Sequence, residues 1–428
     1  MKTDILIVGS GCSGLYCALQ LPSDKKITII TKSDMESSDS YLAQGGMCML
    51  KDASDYESFF EDTLKAGHYE NDRKSVELMI NSSPDVLSDL LSYGADFAKD
   101  ENGNFLYTKE GAHSEKRIIY HKDITGEEIT RSLLREVKKR SNITLVEYTT
   151  MLDILECDNK CYGAIVKNQD DTIEVITAAY TVWACGGVGG LFKYSTNFKH
   201  LTGDTLAIAQ KHDIELKNTD YIQIHPTTLY SKEAKERSFL ISESVRGEGA
   251  KLYDKNMNRF VDELLPRDLL TQEIRKQMEK DGTDFVWEDL RPIPKEELTS
   301  HFPNIIEYCK KMGYDVFSEC IPVVPAQHYF MGGIKVDHSS RTSLENLYAV
   351  GETACNGVHG RNRLASNSLL ESLVFAKRAA AKMNENGFLL DEKVASQLEG
   401  KIDLSIYFDT DKLEEEYRQL ALKALDIQ

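Results

Sequence analysis

Two arginines that lack a local partner are the first residues here whose type and spacing point to chemistry. Arg361 and Arg363 lie in residues 357–372, GVHGRNRLASNSLLES, where the nearest acidic residues are Glu352 and Glu371. The chain as a whole has a formal charge of −18. A surface ion-pair face is one interpretation, but such a face interleaves both signs. We favour a site for an anion outside the local chain, followed by a helix start at Ala-Ser-Asn-Ser-Leu-Leu.

Two histidines and a third arginine are further side chains whose chemistry suits an anion. His225 lies in QIHPTT, His328 in PAQHYFMGG, and Arg267 in LPRDLL, where a proline precedes a helix start. Each also has an ordinary interpretation: such histidines are commonly structural, and Arg267 precedes an aspartate with which it can form a local ion pair. Arginine pairs bidentately with carboxylates. The sharper hypothesis is that these residues together line a functional site.

The elements that must position these residues begin with a strand, a turn, a helix and a strand. Residues 4–8 (DILIV) are typical of a strand buried on both faces, residues 15–21 predict a helix ended by Pro22, and residues 26–30 predict a second strand. The turn reads G-x-G-x-x-G, whose glycines let backbone N–H groups approach a pyrophosphate. A glycine-rich structural turn is the alternative. The predicted dinucleotide contacts are Gly9, Ser10, Gly11, Cys12, Ser13 and Gly14.

The second strand lacks the acidic residue that usually binds the ribose hydroxyls at its end. It is followed by Thr31 and Lys32, whose hydroxyl and amine can bind ribose or phosphate, so an ordinary NAD site is disfavoured. A second glycine-bearing stretch, DSYLAQGG, is either an ordinary loop or a place where the backbone approaches the cofactor. Its predicted cofactor contacts are Asp39, Ser40, Tyr41, Leu42, Ala43, Gln44, Gly45 and Gly46.

Two further strands that end in glycine complete one large nucleotide-binding fold. They are YTVWACGGVGG at residues 180–190 and NLYAVGE at residues 346–352. Between them the residue pattern changes, which predicts an inserted lobe. The cleft between this lobe and the nucleotide-binding fold is the expected substrate site. The predicted fold is α/β: a Rossmann-like dinucleotide-binding domain over residues 1–218 and 330–399, an inserted α+β capping domain over residues 219–329, and a short C-terminal helical tail over residues 400–428.

Composition and charge narrow the classes of partner. The chain has 428 residues, of which 41% are hydrophobic and 28% charged, with 69 acidic against 51 basic side chains. This excess argues against nucleic acid and anionic membranes as partners. Nine cysteines without a C-x-x-C pair, and histidines without metal-ligand spacing, lead us to expect neither disulfides nor a metal site. We see no signal-like segment or membrane-length apolar run, and we expect a cytoplasmic protein.

Seven segments, taken in order, carry a family resemblance. They are GSGCSG, SYLAQGG, HPTTLY, SESVRGEGA, LPRDLL, PAQHYFMGG and LYAVGETACNGVHGRNRLASNSLLES. With them the chain resembles the succinate dehydrogenase/fumarate reductase flavoprotein superfamily, and within it the L-aspartate oxidase family. Three details favour the oxidases. Asp39 stands where covalently flavinylated relatives have a histidine, ASNSLLES replaces a Gly-Gly-Asn-Ser pattern, and Glu110 begins a Glu-Gly-x-His element.

The resemblance implies a Rossmann-like FAD-binding domain, non-covalent FAD, and oxidation of L-aspartate to iminoaspartate, the first step of de novo NAD biosynthesis via quinolinate. It implies that hydride passes to flavin N5 and that the flavin is reoxidised by O₂, giving H₂O₂, or by fumarate, giving succinate. Functional coupling to quinolinate synthase is a further implication. The implied substrate-site residues are Glu110, His225, Ser242, Arg267, His328 and Arg363, and additional FAD contacts are Asp204, Glu352, Ser368 and Leu369.

Several features leave alternatives open. Ser242 stands where the family usually has threonine, and Glu110 taken alone is an ordinary solvated loop acid. An arginine is not expected to deprotonate readily, so a proton-transfer role for Arg267 needs a neighbouring acid, with Glu243 and Glu263 the nearby candidates in sequence. The competing functions are a soluble fumarate reductase or a succinate dehydrogenase flavoprotein subunit, and a non-catalytic FAD-binding protein.

Overall fold

The structure, a computed structural model, describes residues 1–233 and 236–427. Its strands are β1 (Ile5–Val8), β2 (Ile27–Ile30), β3 (Met47–Cys48), β4 (Ile118–Ile119), β5 (Ile143–Val146), β6 (Thr150–Cys157), β7 (Lys160–Lys167), β8 (Ile173–Thr177), β9 (Tyr180–Trp183), β10 (Leu216–Lys217), β11 (Ile222–Leu229), β12 (Lys251–Tyr253), β13 (Val286–Asp289), β14 (Ile321–Phe330), β15 (Gly333–Lys335), β16 (Leu347–Ala349) and β17 (Ala354–Cys355). Its helices are α1 (Cys12–Leu19), α2 (Asp39–Leu42), α3 (Tyr56–Ala66), α4 (Arg73–Ser92), α5 (Thr125–Val137), α6 (Asp204–Lys211), α7 (Glu243–Gly247), α8 (Arg267–Asp281), α9 (Lys295–His301), α10 (Pro303–Lys311), α11 (Asn367–Asn386), α12 (Glu392–Lys401) and α13 (Thr410–Ala424).

A five-stranded parallel sheet in the order β16-β9-β1-β2-β5 lies at the centre of the fold. Successive side chains of a strand point to opposite faces. Ile5 and Ile7 therefore pack into the core under α1, α4, α5 and α11, while Leu6 and Val8 pack into the core shared with the antiparallel sheet β6-β7-β8. The predicted strand at residues 4–8 is confirmed, with both faces buried, and places its carboxyl end at the cleft.

The helix after the glycine turn begins earlier than predicted. It starts at Cys12, capped by Gly11, and ends at Leu19, so the interpretation of residues 15–21 as the helix was wrong at both ends. The reason is that the last residues of G-x-G-x-x-G are themselves the first turn of the helix. Its free N–H groups consequently face the cleft directly after β1.

The inserted segment forms its own antiparallel sheet in the order β11-β14-β13-β12. Helices α7 to α10 cover it, with a core that includes Val245, Leu270 and Ile305. Across the lobes, Asp123 accepts hydrogen bonds from the backbone N–H groups of Asn304 and Ile305 at the start of α10, at 3.0 and 3.1 Å. The α/β fold class is confirmed, and the domain boundaries given above stay a prediction.

Candidate active site

A deep cleft runs from the turn after β1 to the sheet of the inserted lobe. It holds about 1700 Å³ of space between protein atoms, open solvent included. All six predicted substrate-site residues line it, and so do most of the predicted cofactor contacts. Within the described residues, the predicted contacts Cys12, Gly14 and Tyr41 do not line it. The Tyr41 ring instead packs under Arg131 of α5, 5.3 Å away.

The glycine turn is packed too tightly against neighbouring backbone to accept side chains at two of its positions. Gly9 has φ +115°, and a Cβ there would lie 2.0 Å from the carbonyl oxygen of Ala184. A Cβ on Gly14 would lie 2.2 Å from the carbonyl oxygen of Gly9. Only glycine satisfies both positions, and the resulting turn presents the N-terminus of α1 to the cleft. Backbone N–H groups at such a helix N-terminus favour an anionic group such as a pyrophosphate.

A carboxylate from another element replaces the acid that the second strand lacks. Asp204, the first residue of α6, lies 2.5 Å from the Lys32 ammonium, which also donates to the hydroxyl of Thr202. Ser10 donates to the Thr31 hydroxyl at 3.2 Å. These side chains meet at the carboxyl ends of β1 and β2, where ligands of such sheets bind. They form a polar patch of hydroxyl, ammonium and carboxylate groups suited to a ribose.

Two half-buried acids lie farther along the cleft, and one of them has an oxygen with unused hydrogen-bonding capacity. Asp39 accepts from the backbone N–H of Phe198 at 3.0 Å, and its Oδ2 and the Gln44 Oε1 are without a partner in the part of the chain that the structure describes. Burial raises the pKa of Asp39 to about 7. Glu352 accepts from the backbone N–H of Phe330, and burial holds its pKa well above the ordinary value. These open acceptors fit a large polar cofactor such as FAD.

The helix α11 begins where the two halves of the cleft meet. It starts at Asn367, and the side chains of Ser368 and Leu369 reach the cleft wall. Ser366 precedes it with φ +61°, a left-handed conformation unusual for a residue with a side chain. The predicted helix start at the end of the 357–372 stretch is confirmed. Its N-terminal dipole favours negative charge in the cleft.

The two histidines stand together as neutral imidazoles. The ring centroids of His225 and His328 are 5.1 Å apart. Burial, and after it the charge of Arg267, lowers the pKa of both well below the ordinary value. The His328 Nδ1 contacts the Thr196 hydroxyl at 2.8 Å, while the His225 Nε2 lacks a partner among residues 1–233 and 236–427. A neutral imidazole still offers one N–H to a carboxylate.

Two guanidinium groups share the same end of the cleft. Arg267 donates from Nε to Glu243 at 2.6 Å and from Nη1 to Gln223 at 2.9 Å. Arg363 is 4% exposed, stacks 4.5 Å from the Tyr329 ring, and its Nε is unpartnered in the described chain. Burial, then repulsion from Arg267, lowers the pKa of Arg363 to about 10. Two buried cations this close favour a dianion between them.

Glu110 is a buried acid and not the solvated loop acid that its local sequence suggests. It is 3% exposed, and both carboxylate oxygens accept hydrogen bonds from serine hydroxyls. Ser242 lies nearby at the start of α7, where it caps the helix. Of the two acids considered as partners of Arg267, Glu243 contacts it, whereas Glu263 pairs with Arg259.

Sequence reasoning missed Gln223, which does not line the cleft but accepts a hydrogen bond from Arg267. Gln223 and His225 lie two residues apart on β11, so their side chains leave the strand on the same face. That period of two was the available signal. The partner serines of Glu110, Ser244 and Ser366, carried no such signal, because their proximity depends on how the two lobes pack.

The described residues contain neither a cluster of metal-ligating side chains nor a helix that could span a membrane. No group of three or more histidine, cysteine or acidic side chains there is arranged to hold a metal ion. In the same residues, none of the helices combines the length and apolarity needed to cross a membrane.

Comparison with known proteins points to one family. A family model described as an FAD binding domain matches residues 4–369. The chain is 51% identical to an L-aspartate oxidase from Clostridium perfringens, covering 89% of this chain and 86% of the relative. It is 38% identical to an L-aspartate oxidase from Pseudomonas aeruginosa, covering 89% and 74%. Among solved structures, FrdA of E. coli quinol fumarate reductase matches with TM-score 0.86 and 25% identity, covering 100% of this chain and 86% of that one.

Proposed function

The chain belongs to the L-aspartate oxidase family of FAD-binding flavoproteins, and from this premise we propose that it oxidises L-aspartate to iminoaspartate. The observation that carries the proposal is the combination of charges at one end of the cleft. Two buried guanidiniums, Arg267 and Arg363, lie with two neutral imidazoles, and a buried carboxylate, Glu110, lies at the same end. L-Aspartate has two carboxylates and one ammonium, which match this set.

We assign the substrate carboxylates to the arginines and histidines. The Arg363 Nε points to no other group in the described residues, and the unpartnered His225 Nε2 supports the same assignment. Ser242, at the mouth of α7, is placed to donate a hydroxyl hydrogen bond. Glu110 is assigned to the ammonium, because a carboxylate is the natural partner for the one charge that succinate lacks.

We propose that the cofactor is held at the glycine turn described above and is bound without a covalent link. Asp39 stands on α2 where flavinylated relatives have a histidine, and a carboxylate cannot supply that imidazole. Bound FAD would supply the hydride acceptor for oxidation at the substrate Cα. The protein orients the substrate against the ring and places the N-terminus of α11 where negative charge develops.

Arg267 is proposed to act mainly as a fixed positive charge. Its Nε donates to the Glu243 Oε2, and burial notwithstanding, Arg267 and Arg246 lower the pKa of Glu243 below the ordinary value. A guanidinium held against a carboxylate stays protonated. A proton exchanged with the substrate is therefore expected to pass through the pair of Arg267 and Glu243 and not through Arg267 alone.

The wider role follows from the same proposal. Electrons leave the reduced enzyme to O₂, giving H₂O₂, or to fumarate, giving succinate. Iminoaspartate would then be used by quinolinate synthase in de novo NAD biosynthesis, and we propose functional coupling between the two enzymes. A cytoplasmic location is proposed on the strength of nine free cysteines, which suit a reducing compartment.

The proposal is tested by mixing the oxidised holoenzyme anaerobically with L-aspartate or with succinate. Bleaching of the flavin by aspartate and not by succinate is expected, followed by reoxidation with O₂ and with fumarate. Reduction by succinate instead would favour a succinate dehydrogenase or fumarate reductase function. A flavin that neither compound bleaches would indicate a non-catalytic protein. Acid precipitation tests the linkage, since a covalent flavin would stay in the pellet.

A further inference from the structure

The Glu110 carboxylate is held from two sides by hydroxyl groups of different lobes. Ser244 of α7, in the inserted segment, donates from Oγ to the Glu110 Oε1 at 2.7 Å. Ser366, just before α11, donates to the Oε2 at 2.6 Å. All three residues are buried. Each oxygen of the carboxylate is therefore fixed by one donor and keeps a lone pair for another.

In both hydrogen bonds to Glu110, the serine hydroxyl is the donor and the carboxylate is the acceptor. The backbone N–H of Gly46 donates to the Ser366 oxygen at 3.2 Å, so the one hydrogen of that hydroxyl is free to go to Glu110. The Ser244 hydroxyl, 2.7 Å from the Glu110 Oε1, is the donor in its pair, because an ionised carboxylate has no hydrogen to give. A serine hydroxyl has only one hydrogen. Both serines are thus committed as donors to the carboxylate.

Close backbone packing holds the Glu110 segment against α7. A Cβ on Gly111 would lie 2.3 Å from the Glu243 Oε1, and a Cβ on Gly247 would lie 3.0 Å from the carbonyl oxygen of Lys109. Both glycines therefore allow a close contact between the segment and the helix. The inserted lobe brings Ser244 to Glu110 through this contact.

The serine hydroxyls and the nearby charges together set the pKa of Glu110. Burial, and then the negative charge of Glu243, raise the pKa of Glu110, whereas the serine hydrogen bonds and Arg267 oppose the rise. Arg363 and the Cys48 thiol also face it. An ammonium needs the ionised carboxylate, which hydrogen-bond donors favour.

We propose that Ser244 and Ser366 are positioning residues that orient the Glu110 carboxylate for the substrate's ammonium group, and that Ser244 makes this amino-group site depend on the inserted lobe. The inference rests on the proposed function, since it assumes that aspartate is the substrate. Ser244 then sets the preference for an amino dicarboxylate over a plain dicarboxylate without touching the substrate.

The test compares aspartate oxidation with fumarate reduction in the holoenzyme. In Ser244→Ala we expect kcat/KM for aspartate to fall about tenfold, the cost of one hydrogen bond to a charged group. Reoxidation by fumarate of flavin that has first been reduced anaerobically with dithionite should change less than about twofold, because fumarate has no ammonium. The acidic limb of the aspartate profile should move to higher pH, since loss of a donor raises the pKa of Glu110.

Two variants serve as controls. Ser244→Thr keeps the hydroxyl and should restore the aspartate rate and the pH profile. Ser300→Ala removes an exposed hydroxyl of α9 in the same lobe and should behave as the wild type. Equal losses with both substrates, or no loss, in Ser244→Ala would overturn the inference while aspartate oxidation by the wild type still stands. A wild type that leaves aspartate unoxidised would overturn the proposed function itself, and the inference with it.

Discussion

Arg361 and Arg363 are separated by one residue, yet the structure gives them different surroundings. The Arg361 side chain is 59% exposed, lies 3.8 Å from Glu70 and stacks on Tyr221. Arg363 is buried in the cleft over the Tyr329 ring. Arg363 therefore has the surroundings expected for binding an external anion, whereas Arg361 forms the ordinary surface ion pair that was its alternative interpretation.

This difference gives a matched pair of variants. Arg363→Gln should lower kcat/KM for aspartate by about 100-fold or more. The reason is that a substrate carboxylate, buried in the cleft, loses its charged partner at a cost of about 3–5 kcal/mol. Arg361→Gln should leave it within about twofold, as expected for an exposed pair. The measurement is kcat/KM for aspartate from steady-state kinetics of the two variant holoenzymes and the wild type. Similar effects of the two changes would contradict the assignment of Arg363 to the substrate.

At the scale of elements, the sheet of the inserted lobe contains a buried acid outside the cleft. Glu288 on β13 is fully buried, and both of its carboxylate oxygens are without a partner within residues 1–233 and 236–427. Its strand neighbours in register are Leu252 on β12 and Ile321 on β14. Burial raises the pKa of Glu288 to about 8, with the charge of Arg246 acting against the rise.

The stability of this sheet should consequently fall as the pH rises. The folded chain keeps the Glu288 proton up to a pH of about 8, whereas the unfolded chain loses it near the ordinary glutamate pKa of 4.5. Between these values the folded state binds more protons, so the free energy of unfolding decreases with increasing pH. We expect Glu288→Gln to gain stability relative to the wild type between about pH 5 and pH 9.

Thermal unfolding of both holoenzymes across this range measures the effect. The exposed Glu296→Gln of α9 is the control, and its difference from the wild type should not vary with pH. A constant difference between Glu288→Gln and the wild type would contradict the raised pKa of Glu288.

At the scale of the whole molecule, the C-terminal tail is tied into the FAD-binding side of the fold. Asp153 on β6 accepts from Lys211 and His212 at the end of α6, and from the Tyr407 hydroxyl in the tail. Helix α13 packs along α6, with Ala421 in the shared core. Because α6 begins at Asp204 in the cleft, the tail supports an element that contacts the predicted ribose site.

Removal of the Asp153 charge should therefore weaken both folding and flavin retention. In Asp153→Asn we expect a loss of about 3–5 kcal/mol of stability, since a buried carboxylate with two basic partners is removed. Thermal unfolding and the release of flavin on dilution are the measurements. Glu345→Gln breaks the exposed pair with Lys160 and should cost no more than about 1 kcal/mol. Unchanged flavin release in Asp153→Asn would separate the tail from the cofactor site.

Much of the fold and part of the site were determined by contiguous residues. The run at residues 4–8 and the glycines that follow it specify a strand, a turn and a helix start, because backbone conformation and alternating burial are local properties. The same holds for the helix start after Arg363. Even here the boundary of α1 was misplaced, since the sequence does not show that the last glycine of the turn is already helical.

Other features were decided only by the tertiary structure. The acid beside Lys32 comes from Asp204 on α6, far along the chain, and Glu110 meets Ser244 and Ser366 only where two lobes pack. Such pairs depend on sheet order and on the placement of the inserted lobe, which no local pattern encodes. The sequence by itself determined which side chains have the chemistry to bind anions and where the chain turns. The packing of the lobes decided which of those groups are buried together, and burial is what gives their charges strength.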